Sequence, residues 1–447
     1  MHPMVKPALR RAWRGLQYVQ FGVTPAHAVV LGPVDQDTGA VLGLLDGTRG
    51  TELLRAEARA LGLPDGHLEA LLGRLESAGL LTDATTGRPG RVGPPAGAVD
   101  RALDPLRADL ASLSVVHPEP DLATRTLTAR RSQRVQVRGA GRVGTTVAAL
   151  LSAAGVGTVD VLDSGRVEPW ETSPSGLPPE AVGERRATAA RRLVGHWARA
   201  ASDGRGRRAG GSGPGGHDGR GRAGGDDGRG RARGDDGWRE SGGDGGWGES
   251  GGDGGWGESG GDGGWGESGG DGGWGERGGD GGLSLVVVTP RDGLGAYVPD
   301  PVPAEPWIST GTPHLYAGVL EATGMVGPLV LPGGTACARC LQEERTDREP
   351  VWPRLLAQWR SGAPHPLPAC DVGLATAVAG LAAAHALAFL DGDLPASTGT
   401  RWETSLPLLE WRAERLRPHP ACPCGAARGE EGERASAAGD THDTMAG

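Results

Sequence analysis

A glycine-rich turn between a strand and a helix constrains this fold more than any other feature. Residues 135–163 read VQVRGAGRVGTTVAALLSAAGVGTVDVLD, which predicts a strand, the turn, an amphipathic helix and a second strand ending in Asp163. Gly139, Gly141 and Gly144 have the spacing G-x-G-x-x-G. Such glycines allow a tight turn, close approach of the backbone to phosphate, and packing of the helix on the strand. The acid can accept hydrogen bonds from ribose. These four residues are the predicted nucleotide site; a Rossmann-like scaffold without a ligand is the alternative.

The elements around this turn alternate between strands and helices. Residues 133–201 predict strand, helix, strand and helix, and the apolar strand LSLVVVT at 283–289 resumes the pattern. Such alternation is typical of a mostly parallel sheet covered by helices on both faces. We therefore predict an α/β, Rossmann-like domain in two segments, residues 133–201 and 283–426.

A glycine-rich insert, residues 202–282, separates the two segments. It begins as a Gly/Arg-rich stretch and continues as tandem copies of WGESGGDGG, so its only large apolar residue is one Trp per repeat. Because glycine loses the most backbone entropy on ordering, we predict that this insert is disordered. The closure entropy of a loop grows slowly with length, so the fold tolerates the insert. The tail, 427–447, is predicted to be disordered as well.

The N-terminal residues 1–84 have a pattern of their own. Two short apolar strands flank a proline-containing turn, and two segments with leucines at helical spacing follow, before a final short edge strand. This order predicts a small winged-helix-like module. Residues 85–132 then form a Pro/Gly-rich linker and a helix that leads into the main domain.

Four of the five cysteines form two local pairs. Cys337 and Cys340 are spaced C-x-x-C, and Cys422 and Cys424 are spaced C-x-C. Four thiolates in two pairs can surround one tetrahedral Zn²⁺ ion, so we predict a structural zinc site. Four unrelated cysteines are the alternative. No apolar run follows Met1 as in a signal peptide, which favours a reducing cytoplasmic location without disulfides.

Charge and hydropathy exclude two classes of partner. The formal net charge of −9 argues against nucleic acid as the main partner. The segment 372–390 approaches transmembrane length, but it is mostly Ala and Gly, contains His385 and has no basic flank. We predict a buried, closely packed helix here and no membrane association.

The glycine turn, the acid and the cysteine pairs, with VGPLVLPGGTACARC and CDVGLATAVAGLAAAHALAFLDG between them, resemble the ThiF/MoeB/HesA family of E1-like, ubiquitin-like modifier activating enzymes. The resemblance covers residues 133–426 outside the insert. It implies ATP binding with Mg²⁺, adenylation of the carboxylate of a small carrier protein or peptide, and a homodimer. It also implies that the turn and acid line the nucleotide site and that the four paired cysteines hold zinc. Cys370 falls where some members carry a cysteine for thioester or persulfide chemistry, which implies a catalytic role; a buried structural thiol is the alternative.

The chain departs from the family pattern at three positions in the adenylation site. The Asn-x-x-Arg segment after the ribose acid is missing, and Arg186 replaces the lysine that the family places in the next helix. Thr289 and Pro290 replace the magnesium-binding Asp-Asn pair, with Asp292 two positions later. Because adenylation needs charge on the triphosphate, Arg186 is the predicted catalytic cation, and the activity is expected to be weak.

The N-terminal module resembles PqqD-like recognition elements, which bind leader peptides of ribosomally made peptides by adding a strand to a sheet edge. Such modules occur fused to E1-like domains in azole-forming cyclodehydratase systems. This implies a precursor peptide and a cyclodehydratase as partners. It also leaves open a second function, that of a non-catalytic leader-peptide-binding scaffold. A third function, an NAD(P)-binding oxidoreductase, is not favoured because no acid-base constellation accompanies the turn.

Overall fold

The computed structural model describes most of the chain outside the predicted linker, insert and tail. The described residues are 1–84, 104–119, 121–202, 282–361 and 367–427. The predictions of disorder for the insert and the tail therefore concern segments that lie outside the described residues, apart from residues at their ends.

The N-terminal module contains two small sheets and three helices. Its strands are β1 (Pro3–Val5), β2 (Arg11–Trp13), β3 (Val19–Phe21), β4 (Val29–Leu31) and β5 (Leu81–Asp83), and its helices are α1 (Gln36–Leu44), α2 (Thr51–Ala60) and α3 (His67–Ser77). Strands β2, β3 and β4 form an antiparallel sheet, and β1 pairs with β5. Leu54 of α2 and three leucines of α3, Leu68, Leu71 and Leu75, pack with Phe21 in one core, as their helical spacing predicted. The hairpin, both helices and the edge strand were predicted, whereas β1, β2 and α1 were not.

Lys6 connects this module to the segment that follows it. Its side chain is buried, and Nζ donates hydrogen bonds to the carbonyl oxygens of His117 at 2.9 Å and Pro118 at 3.3 Å. These carbonyls follow the helix α4 (Arg107–Val116), which precedes α5 (Leu122–Arg130). Carbonyls at a helix end have no intrahelical partner, so the buried ammonium satisfies them.

The main domain is built on one seven-stranded sheet in the order β12-β11-β10-β9-β8-β6-β7. Its strands are β6 (Arg134–Arg138), β7 (Thr158–Leu162), β8 (Leu285–Val288), β9 (His314–Leu320), β10 (Thr323–Val330), β11 (Thr400–Ser405) and β12 (Arg412–Arg415). Strands β7, β6, β8 and β9 are parallel, and β9 to β12 continue the sheet as antiparallel neighbours. The predicted α/β class is confirmed, and the parallel strands carry the glycine turn.

The helices of the main domain lie around this sheet. They are α6 (Arg142–Ala153), α7 (Arg186–Ser202), α8 (Leu294–Tyr297), α9 (Glu305–Ser309), α10 (Ala338–Arg348), α11 (Trp352–Ser361) and α12 (Val372–Leu390). Within the described residues, α12 is the one helix long and apolar enough to cross a membrane by length and composition. It packs against α6, β9 and β10, and a Cβ built on Gly324 of β10 would lie 2.5 Å from Cγ2 of Val378. This contact packs one face of α12 closely against the sheet, as predicted, while 39% of its apolar window is buried in all.

A buried ion pair holds the ends of three helices together. Arg130 at the end of α5 donates to both carboxylate oxygens of Asp391, at 2.7 Å from Nε and 2.6 Å from Nη2. Its Nη1 donates to the carbonyl oxygen of Ala154, which follows α6. The two charged side chains are 5% and 4% exposed. Asp391 itself follows α12, so the pair joins α5 to the helices that support the sheet.

Asp391→Asn is expected to destabilise the protein, because it leaves the Arg130 guanidinium buried without its counter-charge. We expect the free energy of unfolding to fall by about 3–5 kcal/mol, measured by chemical denaturation. Asp393→Asn, two residues later at an exposed position, is the matched control and should change it by less than about 0.5 kcal/mol. Equal stability of the two variants would contradict this prediction.

Candidate functional site

The three glycines of the turn differ in what their surroundings require. A Cβ built on Gly139, whose φ is +106°, would lie 1.9 Å from the carbonyl oxygen of Thr289. A Cβ on Gly144 would lie 2.0 Å from the carbonyl oxygen of Gly139. At Gly141 the nearest atom is 3.8 Å away, at Cα of Arg291, and φ is −77°. The chain's own packing therefore requires glycine at 139 and 144, whereas Gly141 leaves open space at the start of α6.

A cavity of about 160 Å³ lies in this open space. Its lining residues are Gly141, Arg142, Trp170, Glu171, Arg291, Leu367, Pro368 and Cys370. The first backbone N–H groups of a helix have no intrahelical partner and carry positive partial charge, which attracts anions. Complete small-molecule pockets enclose about 300–1,000 Å³, so this cavity has room for part of a nucleotide.

Asp163, the residue predicted to bind ribose, holds the glycine-rich turn through a hydrogen bond. Its Oδ2 accepts a hydrogen bond from the backbone N–H of Ala140 at 2.8 Å, and its Oδ1 accepts one from Gly165 at 2.8 Å. Nε of Arg186 donates to the same Oδ1 at 2.9 Å. Since each carboxylate oxygen offers two lone pairs, Oδ2 keeps capacity for one further donor, such as a ribose hydroxyl.

Arg186, the predicted phosphate-binding cation, is buried among carboxylates. Besides its bond to Asp163, its Nη1 donates to the carbonyl oxygen of Arg166 at 2.7 Å and lies 3.2 Å from both carboxylate oxygens of Glu171. It is not among the residues that line the cavity. In this arrangement Arg186 holds two acids in place, and its predicted contact with phosphate stays a prediction.

Two residues that the sequence analysis did not identify, Glu171 and Arg291, complete this network. The Glu171 side chain is 3% exposed, and its Oε1 accepts a hydrogen bond from Nε of Arg291 at 2.5 Å. Its Oε2 accepts from the backbone N–H of Glu168 at 2.9 Å. Arg291 is 32% exposed and follows β8. The sequence held one indication of a ligand-binding role for Arg291. It lies just after a predicted parallel strand, and ligands of parallel sheets bind beyond the carboxyl ends of the strands.

Cys370 and Arg142 close the other side of the cavity. Nη1 of Arg142 donates to the backbone carbonyl oxygen of Cys370 at 2.6 Å. Burial raises the pKa of the Cys370 thiol, and the positive charge of Arg142 acts in the opposite direction. A raised pKa favours the thiol over the nucleophilic thiolate. The structure thus places Cys370 at the cavity, and a catalytic role for it stays a prediction.

The four remaining cysteines come together as predicted. The Sγ–Sγ distances are 3.8 Å for Cys337–Cys340, 3.6 Å for Cys337–Cys422 and 3.6 Å for Cys340–Cys424, and all four sulfurs lie within 4.8 Å of one another. Four sulfurs about 2.3 Å from a tetrahedral zinc ion are about 3.8 Å apart, so this geometry fits a zinc site with four cysteine ligands.

The electrostatics of this cluster make one thiol more acidic than its neighbours. The hydrogen bond between Cys337 and Cys340 lowers the pKa of the Cys337 thiol to about 5 and raises the pKa of the Cys340 thiol, and burial raises the pKa of the Cys422 thiol to about 11. The cluster packs in a small core with Tyr316, Val330 and Leu416, which limits access of water. Buried thiolates need a cation nearby, and a zinc ion supplies it.

Comparison with known proteins agrees with the resemblance seen in the sequence. The model of the ThiF family matches residues 120–201 and 300–424. No curated protein sequence is significantly similar to this chain. Among solved structures, E. coli MccB with AMPCPP and MccA has a TM-score of 0.59 at 11% identity, covering 95% of this chain and 100% of that one.

Two further structures extend this comparison. E. coli MccB with ATP has a TM-score of 0.55 at 12% identity and covers 95% of this chain and 99% of its own. The heterocyclase TruD has a TM-score of 0.50 at 15% identity, and the match covers 97% of this chain and 44% of TruD. At such identities the similarity is one of fold.

The different surroundings of the turn glycines predict different effects of adding a methyl group. Gly144→Ala is expected to lower the free energy of unfolding by about 1–3 kcal/mol, because its Cβ would overlap a backbone carbonyl. Gly141→Ala should change it by less than about 1 kcal/mol. Chemical denaturation of both variants measures this difference, and a larger loss in the Gly141 variant would contradict it.

The cysteine cluster predicts a metal content. The purified protein should contain about one zinc ion per chain, and Cys340→Ser should lose it and unfold at lower temperature, because a structural zinc stabilises the fold. Cys370→Ser, outside the cluster, is the matched control and should keep the zinc. Elemental analysis and thermal melting measure both effects. A zinc-free wild-type protein with four freely reactive thiols would show that the site is wrong.

Proposed function

We propose that this protein binds ATP beside Gly141 and adenylates a ribosomally made precursor peptide. The match of the ThiF family model to residues 120–201 and 300–424 supports this function. One observation carries the proposal. Gly141 leaves space at the N-terminus of α6 that the protein's own packing does not require, and a cationic side chain, Arg291, lines that space. A phosphate can approach the backbone closely where a glycine at a helix N-terminus has unoccupied space beside it.

The residues around the cavity have separate tasks in holding the nucleotide. The N–H groups at the start of α6 and the guanidinium of Arg291 bind phosphate oxygens. Trp170, at the rim of the same cavity, offers an aromatic face on which the base can stack. The free lone pair of Asp163 accepts from a ribose hydroxyl.

Adenylation forms one bond to phosphorus and breaks another. A carboxylate oxygen of the peptide bonds to the α-phosphorus of ATP, while the bond from that phosphorus to the oxygen bridging to the β-phosphate breaks. Pyrophosphate leaves with the electron pair, and the product is an acyl adenylate. No proton has to move, so the protein's contribution is to hold the reactants in line and to stabilise the charge that develops on the leaving group.

A peptide as the partner is supported by the N-terminal module and by the similarity to MccB. MccB is a microcin C7 biosynthetic enzyme that has been solved with N-formylated MccA. In the N-terminal module, β2 and β4 each pair with β3 and form the two edges of the small sheet. The apolar residues Trp13, Tyr18 and Val30 are exposed on or next to these strands. An extended leader peptide adds to such an edge by backbone hydrogen bonds.

The remaining partners implied by the family resemblance enter the proposal as further predictions. They are a second copy of this chain in a homodimer and a cyclodehydratase that uses the activated peptide. A cytoplasmic location is the setting that agrees with four thiolates bound to zinc rather than paired as disulfides.

ATP–pyrophosphate exchange in the presence of a candidate precursor peptide tests this function. The wild-type protein should catalyse exchange, and Gly141→Val should reduce its rate by at least about 100-fold, because the side chain fills the phosphate space. The melting temperature and the affinity for the peptide should stay unchanged. Gly334→Val, at an exposed loop glycine, is the matched control and should keep the exchange activity.

The same assay separates the enzyme from the scaffold. Peptide binding by the wild-type protein without any exchange would contradict the proposal and support the non-catalytic scaffold. Binding of NAD(P)H in preference to ATP, detected by its fluorescence, would support the oxidoreductase instead.

A further inference from the structure

The family resemblance implies a Mg²⁺ ion beside the phosphates, and the donor set of this cavity does not fit one. Mg²⁺ requires oxygen ligands in a near-octahedral arrangement, and nucleotide sites supply them through one or two carboxylates. Among the described residues that line the cavity, the one carboxylate is that of Glu171. Both of its oxygens already accept hydrogen bonds, from Arg186, Arg291 and the backbone N–H of Glu168.

Two oxygen-bearing side chains after β8 have hydrogen-bond partners within the protein. At the end of β8, where the resemblance implies an Asp-Asn pair, the hydroxyl of Thr289 donates to the carbonyl oxygens of Gly139 at 3.0 Å and Arg138 at 3.2 Å. Oδ1 of Asp292 accepts from the backbone N–H of Leu294 at 3.2 Å, and Asp292 does not line the cavity. A metal ion bound through Glu171 would have to displace a guanidinium from this buried carboxylate.

Arg291 stands where the resemblance implies the metal-binding segment. It follows Thr289 and Pro290 directly, and its Cα is 3.8 Å from a Cβ built on Gly141, so it lies against the helix N-terminus. Only its Nε is needed for the bond to Glu171. A guanidinium has five N–H donors in a fixed plane, and the other four can form paired hydrogen bonds to phosphate oxygens.

Glu171 fixes the direction of this arginine. The carboxylate lies between Arg186 and Arg291 and is almost completely buried, so it cannot turn away without leaving Arg291 unpaired and Arg186 with Asp163 as its remaining carboxylate partner. Counting Asp163, Glu171, Arg186, Arg291 and Arg142, the groups at and below the turn carry two negative and three positive charges. This network of five side chains therefore carries one net positive charge before any ion binds, which suits an anionic ligand; Asp371, next to Cys370, and Asp292, next to Arg291, lie outside it.

We infer that Arg291, positioned by Glu171, balances the triphosphate charge at this site in place of a carboxylate-bound Mg²⁺ ion. This inference rests on the proposed binding of ATP beside Gly141. It assigns to Arg291 a direct contact with the nucleotide and to Glu171 a positioning role.

Calorimetric titration of the full-length protein with AMPCPP tests the inference. The buffer is freed of divalent ions by passage over a chelating resin, without soluble chelator, so that the zinc stays bound. The dissociation constant should agree within about threefold with and without added Mg²⁺. Arg291→Gln should raise it at least about tenfold in both buffers, and Arg291→Lys should restore part of the loss.

Two further variants distinguish a contact with phosphate from a merely structural role. Arg291→Asp places a carboxylate after β8, so binding of AMPCPP by this variant should become dependent on Mg²⁺. If Arg291 had a merely structural role, the substitution would not create this dependence. Glu171→Gln should lower the melting temperature, because it removes the charge between two guanidinium groups, and it should weaken binding in both buffers when titrated well below its melting transition. Arg348→Gln, at an exposed arginine on α10, is the control and should bind as the wild type does.

The outcomes separate this inference from the proposed function. Wild-type binding that needs Mg²⁺, or an unchanged dissociation constant in Arg291→Gln, would overturn the role of Arg291 while ATP binding stands. No binding of AMPCPP in either buffer would overturn the proposed function, and this inference with it.

Discussion

The carboxylate of Asp163 fixes the geometry on which the candidate site depends. It accepts a hydrogen bond from the turn itself, at Ala140, and binds the guanidinium of Arg186. Arg186 also contacts Glu171, and Glu171 binds Arg291 at the cavity. A buried charge is costly unless it is paired. Each charged side chain in this series is therefore held in the position where it contacts its oppositely charged neighbours. The position of Arg291 therefore depends on an acid at the end of β7 that it does not contact.

The two segments of the domain meet without distortion although an insert separates them. Strand β8 enters the sheet between β6 and β9 and pairs with both in parallel register, from Val135 opposite Leu285 onward. The glycine turn after β6 then packs against Thr289, which follows β8. Because lengthening a loop adds little closure entropy, the connection from α7 to β8 can be long while the site stays intact.

The residues predicted as ligand contacts differ in the partners that they have within the protein. Gly139, Gly144, Asp163 and Arg186 were predicted as ligand contacts, and all four have partners within the protein that explain their identity. At Gly141, in contrast, no contact within the protein requires glycine. Arg291 was outside every motif, since a lone arginine after a strand has no spacing that marks it. The cysteine cluster was predicted correctly because each pair is local in sequence and a structural zinc site takes four ligands, which two pairs supply.

The sequence by itself determined the features that depend on local spacing: the strand, turn and helix at 135–153, the core helix at 372–390 and the two cysteine pairs. Local backbone geometry and side-chain periodicity are sufficient for these. Only the tertiary structure decided which charged residues meet, because Glu171 and Arg291 are 120 positions apart and their pairing depends on the order of strands in the sheet. It also decided that β11 and β12 continue the sheet as antiparallel strands, and it added β1 and β2 to the N-terminal module. These two strands of the module lie outside its predicted hairpin, and they form because a partner strand satisfies their backbone hydrogen bonds.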